Sequence, residues 1–270
     1  MDSEPVVQVF QPCPALRNYV SNYTIVRNAR QPVTRLQPAY PNHYLIFYPH
    51  STFQQYSIDG LKYEPLPQEL VVGPFTQPIR LLIYPFQLSI IVQLLPGVLH
   101  RLSRLPMHII VNQPLDGING FGNEIKRLNE QLSEAKSWEQ MINLIETFFL
   151  KKIQKAKEAL PIDQVFHLLI AVPEQYTIDR LADLCCVSLR QLERQFLSRI
   201  GTTPSMFIRQ ARFTKAFRLK RCHPQLSWTS IAYECGYFDQ MHLIHDFKLF
   251  TASTPTAFQL IQPVPEDAAV

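Results

Sequence analysis

The apolar positions of this chain change period near residue 120. Before that point they come in short runs, YVSNYTIV, HYLIFYP, ELVVG, IRLLIYP, LSIIVQLL and MHIIVN, rich in β-branched and aromatic residues and punctuated by Pro or Gly. Such runs predict the strands of an all-β barrel or sandwich, and no useful helical period interrupts them. From residue 121 the apolar positions fall at 125, 128 and 132, then at 138, 141, 142, 145, 148, 149 and 153, the three-and-four spacing of helices. Ser137 stands where an N-cap belongs, with Gln140 three residues on as in a capping box. The spacing predicts a helical hairpin of about 121–135 and 138–157. Pro161 marks a boundary, and 162 to 262 reads as helical almost throughout, with Pro173 stopping its first helix.

Within that helical region one phrase is written twice. LADLCCVSLRQLERQF, residues 181 to 196, is echoed by IAYECGYFDQMHLIHDF, residues 231 to 247. Leu181 pairs with Ile231, Ala182 with Ala232 and Cys185 with Cys235. After one inserted residue Leu192 pairs with Leu243, Phe196 with Phe247, Thr203-Pro204 with Thr254-Pro255 and Phe207 with Phe258. Each copy places a small residue, Ala182 or Ala232, four positions before Cys186 or Gly236, which suits a close helix crossing and a tight left-handed turn. Ser188 and Asp239 are placed to N-cap the helices that follow, and Ser188 has Gln191 three residues on. This is the logic of a helix-turn-helix. A solenoid fragment is the alternative, but two copies fall short of the roughly three repeats that solenoids need.

Composition sharpens the picture. A chain of 270 residues with 46% hydrophobic and 18% charged residues is globular and exceeds the usual size of one domain. The net charge of +4 is too mild to imply nucleic acid by itself. Its distribution says more: from Arg194 through Tyr233 there is no Asp or Glu, while Arg194, Arg199, Arg209, Arg212, Lys215, Arg218, Lys220 and Arg221 are all present. Such a run suits phosphate contacts; a merely solvated face is the bland alternative. Between the copies, TTPSMFIRQARFTKAFRLK starts with Thr203 as N-cap and Pro204 at the first helical position. A helix of about 17 residues would be roughly 26 Å long. Two recognition helices entering successive major-groove segments stand about 34 Å apart, so this connector is compatible with one chain reading both.

Residues 177 to 262 resemble the DNA-binding domain of the AraC/XylS family of bacterial transcription regulators. The phrases that carry the resemblance are TIDRLADLCCVSLRQLERQFLSRIGTTPSMFIRQARFTKAFRLK and SWTSIAYECGYFDQMHLIHDFKLFTASTPTAF. It implies seven helices, two helix-turn-helix units and a connecting helix. Carried over by position, the first recognition helix begins at Ser188 and presents Arg190, Gln191, Glu193 and Arg194. The second presents Asp239, Gln240, Met241, His242 and His245. Arg199, Arg209, Arg212, Lys215 and Lys248 would contact phosphates. Chemically, Arg194 suits guanine, Gln240 adenine and Met241 a thymine methyl, although Met241 could pack inward and Arg190 could touch phosphate only. The chain departs from the family pattern at His245, where Arg is common, at Asp246, at Thr251 in place of a Gly, and at Cys186 in the first turn.

The N-terminal half resembles, less specifically, the family's sensor domains, through FQPCPALRNYVSNYTIV, HYLIFYP and LLPGVLHRLSRLPMHIIVNQPLD. That implies a small cupin-like β-barrel followed by helices, binding an effector or another protomer. Tyr40, His43, Tyr44, Phe47 and Tyr48 are the candidate effector pocket, although alternate positions of a barrel strand must face opposite sides. The expected architecture is α+β: a β-rich, barrel-like sensor domain over 1–160 ending in the hairpin at 121–157, an all-α DNA-binding domain over 161–262, and a tail at 263–270.

Other chemistries find little support. The five cysteines match no zinc-ligand spacing, and adjacent Cys185 and Cys186 form no ordinary disulfide frame. A reducing compartment follows, with buried core thiols favoured over an oxidation sensor. MDSEPVVQVF lacks the features of a signal peptide, and LSIIVQLLPGVLH falls short of the roughly 20 residues that span a bilayer; a soluble cytoplasmic protein is expected, with no membrane partner. A cupin-type metalloenzyme would want clustered ligands, but His43, His50, His100 and His108 form no HxH pair, and there is no phosphate loop or GxSxG elbow. No catalytic residue, metal or cofactor is expected. The partners are double-stranded DNA, a small-molecule effector, a second protomer through the hairpin and, for an activator, RNA polymerase. An interaction protein of the same fold with weak DNA reading is the rival, its basis being His245 and Asp246.

Overall fold

The computed structural model describes residues 5–50, 55–58 and 60–258, so the tail at 263–270 and the last four residues of the 161–262 region lie outside them. With elements numbered in chain order, one antiparallel sheet runs β1 (Val6–Phe10), β2 (Val20–Arg27), β9 (Leu88–Leu94), β4 (His43–Phe47), β7 (Glu69–Val72) and β10 (Leu115–Asp116) from edge to edge. A second runs β3 (Val33–Gln37), β8 (Ile79–Ile83), β5 (Gln55–Ser57) and β6 (Glu64–Pro65). Among the described residues no ladder joins the two sheets, so of barrel and sandwich the strands form an open sandwich. At its centre Leu45 sits between Val92 and Val71.

The larger sheet is covered on both faces, which is why β7 and β9 read as continuous apolar runs rather than alternating ones. One face carries Leu45, Phe47, Ile90 and Val92 against the hairpin helices α3 (Asn123–Glu134) and α4 (Trp138–Ile153), through Ile125, Leu128, Leu132, Ile145 and Phe149. The other carries Tyr44, Leu70, Val72 and Ile91 toward Ile79, Leu81 and Leu36 of the smaller sheet. Ser137 caps α4 by accepting from the Gln140 amide at 3.2 Å, as its position implies. Two expectations fail between residues 95 and 121. MHIIVN is no strand: after Pro106, Met107–Ile110 winds into a 3-10 turn. Val98–Ser103 forms a six-residue helix, α1, entered through Gly97 at φ +82°. A short α2 (Gly117–Phe121) precedes the hairpin.

Residues 161 to 258 fold into α5 (Pro161–Ala171), α6 (Ile178–Leu184), α7 (Leu189–Arg199), α8 (Pro204–Cys222), α9 (Trp228–Glu234), α10 (Gln240–Thr251) and α11 (Pro255–Phe258), the seven helices that the resemblance implies. Phe166, Phe196 and Phe207 pack ring to ring, with centroids 5.0–5.9 Å apart, in the core of the first unit. Phe213, Phe247, Phe250 and Phe258 do the same in the second. The turns exchange residues between copies. The left-handed position inside the helix-turn-helix is Cys186 (φ +52°) in the first copy and Gly236 (φ +72°) in the second. The one that ends the recognition helix is Gly201 (φ +101°), then Ala252 (φ +53°). The missing family glycine is therefore at Ala252. Thr251 is the last helical residue, fully buried, its Oγ1 donating to the Phe247 carbonyl at 2.7 Å. Cys186 and Ala252 each hold about 1–2 kcal/mol of left-handed strain that a glycine would avoid.

The two halves share a core. The loop from Pro38 to Asn42, between β3 and β4, docks on the C-terminal helices: the Ala39 amide donates to the Phe250 carbonyl at 2.9 Å, and the Tyr40 ring stacks on Phe213 with centroids 6.1 Å apart. Fully buried Gln210 of α8 donates its Nε2 to the carbonyls of Phe75 at 2.6 Å and Ala39 at 3.3 Å. Near the other helix-turn-helix, a Cβ on Gly201 would stand 2.9 Å from the Met107 carbonyl oxygen. These contacts tie each reading unit to a different part of the β-rich half.

Candidate nucleic-acid interface

The first unit is assembled from its caps outward. Thr177 caps α6, accepting from the Arg180 amide at 3.3 Å, and Leu181, Ala182, Leu192 and Phe196 are buried. Ser188 and Gln191 close a reciprocal capping box: Ser188 Oγ accepts from the Gln191 amide at 3.3 Å, and Gln191 Oε1 accepts from the Ser188 amide at 3.2 Å. Those two predicted contact residues are thus engaged in starting the helix. Arg190, Glu193 and Arg194 stay exposed on one face, at i, i+3 and i+4. With Leu197, Ser198 and His108 of the 3-10 turn they line an open cleft. His108 is the contribution of the β-rich half, and nothing in the helical pattern announces it.

The second unit repeats the scaffold with different chemistry. Ser227 caps α9 from 3.0 Å; Asp239 Oδ1 caps α10 through the His242 amide at 2.9 Å and stands 3.1 Å from His242 Nδ1. Gln240 Oε1 accepts from Thr229 Oγ1 at 2.6 Å. Met241 points outward, 69% exposed, not into the core. At the offset of 51 that aligns the copies, Met241 and His245 stand where the first unit has Arg190 and Arg194. Asp246 is buried and accepts from Arg209 Nη2 at 2.6 Å and Nε at 3.1 Å. Its charge therefore braces α10 against α8 instead of weakening the reading face, which corrects the expectation placed on it. Phe238, 84% exposed in the turn before Asp239, was not among the residues singled out from the sequence.

Four members of the basic run are held within the fold. Arg199 is buried, with Nη1 2.9 Å from both carboxylate oxygens of Asp163, so its assignment as a phosphate contact is overturned. Arg209 is held by Asp246, and Lys215 donates to Glu174 at 2.7 Å. Lys220 donates to the Pro224 and Leu226 carbonyls and lies over Trp228. Arg212 is half-buried, whereas Arg218 and Lys248 are exposed. The exposed Arg190 and Arg194 join these two at the surface.

The pocket candidates divide by strand alternation. Tyr40, Tyr44 and Tyr48 line a cavity between the sheets, with Pro38, Phe75 and Leu81 among its other walls. Phe47 points the opposite way into the core beneath the hairpin, and His43 is fully buried at the domain junction, its Nε2 3.0 Å from the Ile200 carbonyl. Neither lines the cavity. Among the described residues no cluster of three His, Cys, Asp or Glu side chains is placed to hold a metal ion. The five cysteines are free; Cys185 and Cys235 are buried, Cys186 and Cys222 exposed.

Burial pushes the His43 imidazole down to about 4, only partly countered by the Ile200 carbonyl, with nearby His100 pushing the same way. An unfolded histidine titrates near about 6.5. Between these values the unfolded chain holds a proton that the folded chain lacks, so the stability contribution is complete above about pH 6.5 and falls as pH drops toward 4, by about 3 kcal/mol in all. Urea melts at pH 7 and pH 5 should show this loss, and His43→Gln should flatten it.

Two recognition-type helices, each capped by its own side chains and joined by one 19-residue helix, define a two-headed helix-turn-helix protein. Residues 181–260 match a helix-turn-helix domain family, and residues 8–116 match a domain of unknown function (DUF6597). The HTH-type transcriptional activator RhaS of Escherichia coli is 42% identical over 70 residues, 26% of this chain and 25% of RhaS; the chain spans about a quarter of the length of the curated relatives it matches. The apo structure of a ToxT variant from Vibrio cholerae covers 97% of this chain and 98% of its own, with a TM-score of 0.51 and 13% identity. The DNA-binding domain of AdpA, solved with a target DNA, is 26% identical and covers 37% of this chain and 91% of its own, with a TM-score of 0.35. The family match at 181–260 falls within the region that resembles the AraC/XylS regulators in sequence, and the likeness to RhaS, an HTH-type transcriptional activator, agrees with it.

Proposed function

We propose that this protein is a sequence-specific transcription regulator whose two heads, α7 and α10, enter successive major-groove segments of one DNA duplex. The observation that carries this reading is the pair of capped helices fixed to α8, whose 19 residues make a rod of about 28 Å. Residues 161–262 act as the DNA-binding part and 1–160 as the regulatory part. An effector enters the cavity behind the Pro38–Asn42 loop. Pro38 and Tyr40 wall that cavity, while Ala39 and Tyr40 hold α10 and α8. A ligand that moves the loop therefore changes how the heads are held, which is linkage through differential affinity for two arrangements. The apolar residues of the hairpin are occupied by the chain's own core, which favours two heads on one chain over a dimer built on the hairpin. An activator of this design would also touch RNA polymerase.

Selection of bound sequences from random duplexes by the whole chain tests the reading. A motif of two half-sites about one helical turn apart is the expected result. Binding without sequence preference, or none, would overturn it in favour of an interaction protein.

A further inference from the structure

We propose that the second head recognises thymine 5-methyl groups through an exposed apolar patch formed by Phe238 and Met241. The inference rests on the two-headed reading above and assigns a base class to its second half-site. Phe238 and Met241 are 84% and 69% exposed, large apolar groups left in water at the start of α10. The polar side chains of the same turn are already engaged: Asp239 by the His242 amide and ring, Gln240 by Thr229. What this head can offer a groove is therefore mainly apolar surface. The ring of His242 meets Phe238 edge to face, with centroids 6.0 Å apart, and props it outward.

Position identifies the occupant. Met241 and His245 align with Arg190 and Arg194 of the first head, so the patch lies where a base-reading side chain stands, at the N-terminal turn of the helix. The one apolar group on a major-groove base edge is the thymine methyl. Guanidinium groups in the first head favour guanine; a thioether and a phenyl ring in the second favour thymine. The two heads thus read by different physics although they share one scaffold.

Deoxyuridine tests this, because it removes the methyl and keeps the hydrogen-bonding edge of thymine. With the whole chain and a duplex it selects, replacing the thymines of the second half-site by deoxyuridine should weaken binding about fourfold per methyl, the transfer cost of one such group. The same replacement in the first half-site should change little. In the Phe238→Ser, Met241→Ala double variant, both positions being on the surface, the chain should melt normally and the penalty should vanish. A bipartite site whose second half tolerates deoxyuridine would overturn this inference and leave the two-headed reading standing. So would a penalty that persists in the double variant. Selection of no bipartite site would remove both. Unchanged DNA binding by the double variant together with methyl indifference would mark the patch as a protein-facing surface.

Discussion

Replacing Arg199 with alanine should cost about 3–5 kcal/mol of unfolding free energy, the usual loss when one partner of a buried ion pair is removed. Arg199 ends α7 and Asp163 lies in the first turn of α5; both are buried, and the guanidinium reaches both carboxylate oxygens. Asp163 Oδ2 also accepts from the Leu160 amide at 2.8 Å, fixing the start of α5. Without the guanidinium the carboxylate keeps its desolvation and loses its counter-charge. Urea melts of the Arg199→Ala chain should show a lower midpoint at unchanged slope. Adding Asp163→Asn should recover part of the loss, since the double variant buries no lone charge. The salt dependence of DNA binding by the folded Arg199→Ala chain should match that of the parent, whereas a phosphate-binding arginine would lower the slope by about one.

That the charge run misled in this way has a physical cause. Within the run there is no acid, so local reading leaves every cation free. Its partners arrive from elsewhere: Asp163 lies 36 residues from Arg199, Asp246 37 from Arg209, and Glu174 41 from Lys215. Side-chain pairing across helices is a tertiary property, and no window of sequence contains it. Caps are local, which is why Ser137, Ser188, Thr203 and Asp239 were all legible. The doubled phrase was legible for the same reason, each copy being complete within about twenty residues.

The β-rich half was readable in part. Runs of strand-forming residues marked β2, β4, β7, β8 and β9, but β6 and β10 hold two residues each and β5 three, too few for any period. MHIIVN has strand composition, yet it follows Pro106 and lies where the chain must turn to meet Gly201. The tyrosines of HYLIFYP were legible as a set, but a period of two leaves open which parity faces the cavity. The fold answers with Tyr44 and Tyr48, and sends Phe47 into the core and His43 to the junction. The exposed ring of Phe238 carried a weak signal, an aromatic residue within a turn. It reads as core until the turn's geometry is known.

Replacing both Arg190 and Arg194 with alanine should reduce affinity for the selected duplex by about 2–6 kcal/mol, at about 1–3 kcal/mol for each base-reading arginine. Both are exposed on α7, so the melting temperature should move little, since surface changes of this kind usually stay within about 0.5 kcal/mol. The single variants separate two roles. An arginine that reads guanine loses discrimination at one base pair when it is removed, whereas one that touches phosphate weakens all sequences alike and lowers the salt slope by about one. Arg194 is expected to do the first. Its place one turn into the helix, beside Glu193 and opposite buried Leu192 and Phe196, lets it reach a base edge while the core holds the helix still. The loss should fall on the first half-site alone: because α8 carries the two heads as one rod, the second half-site stays engaged and a residual, weaker footprint should remain there. A double variant that binds the full site as tightly as the parent would remove α7 from the interface.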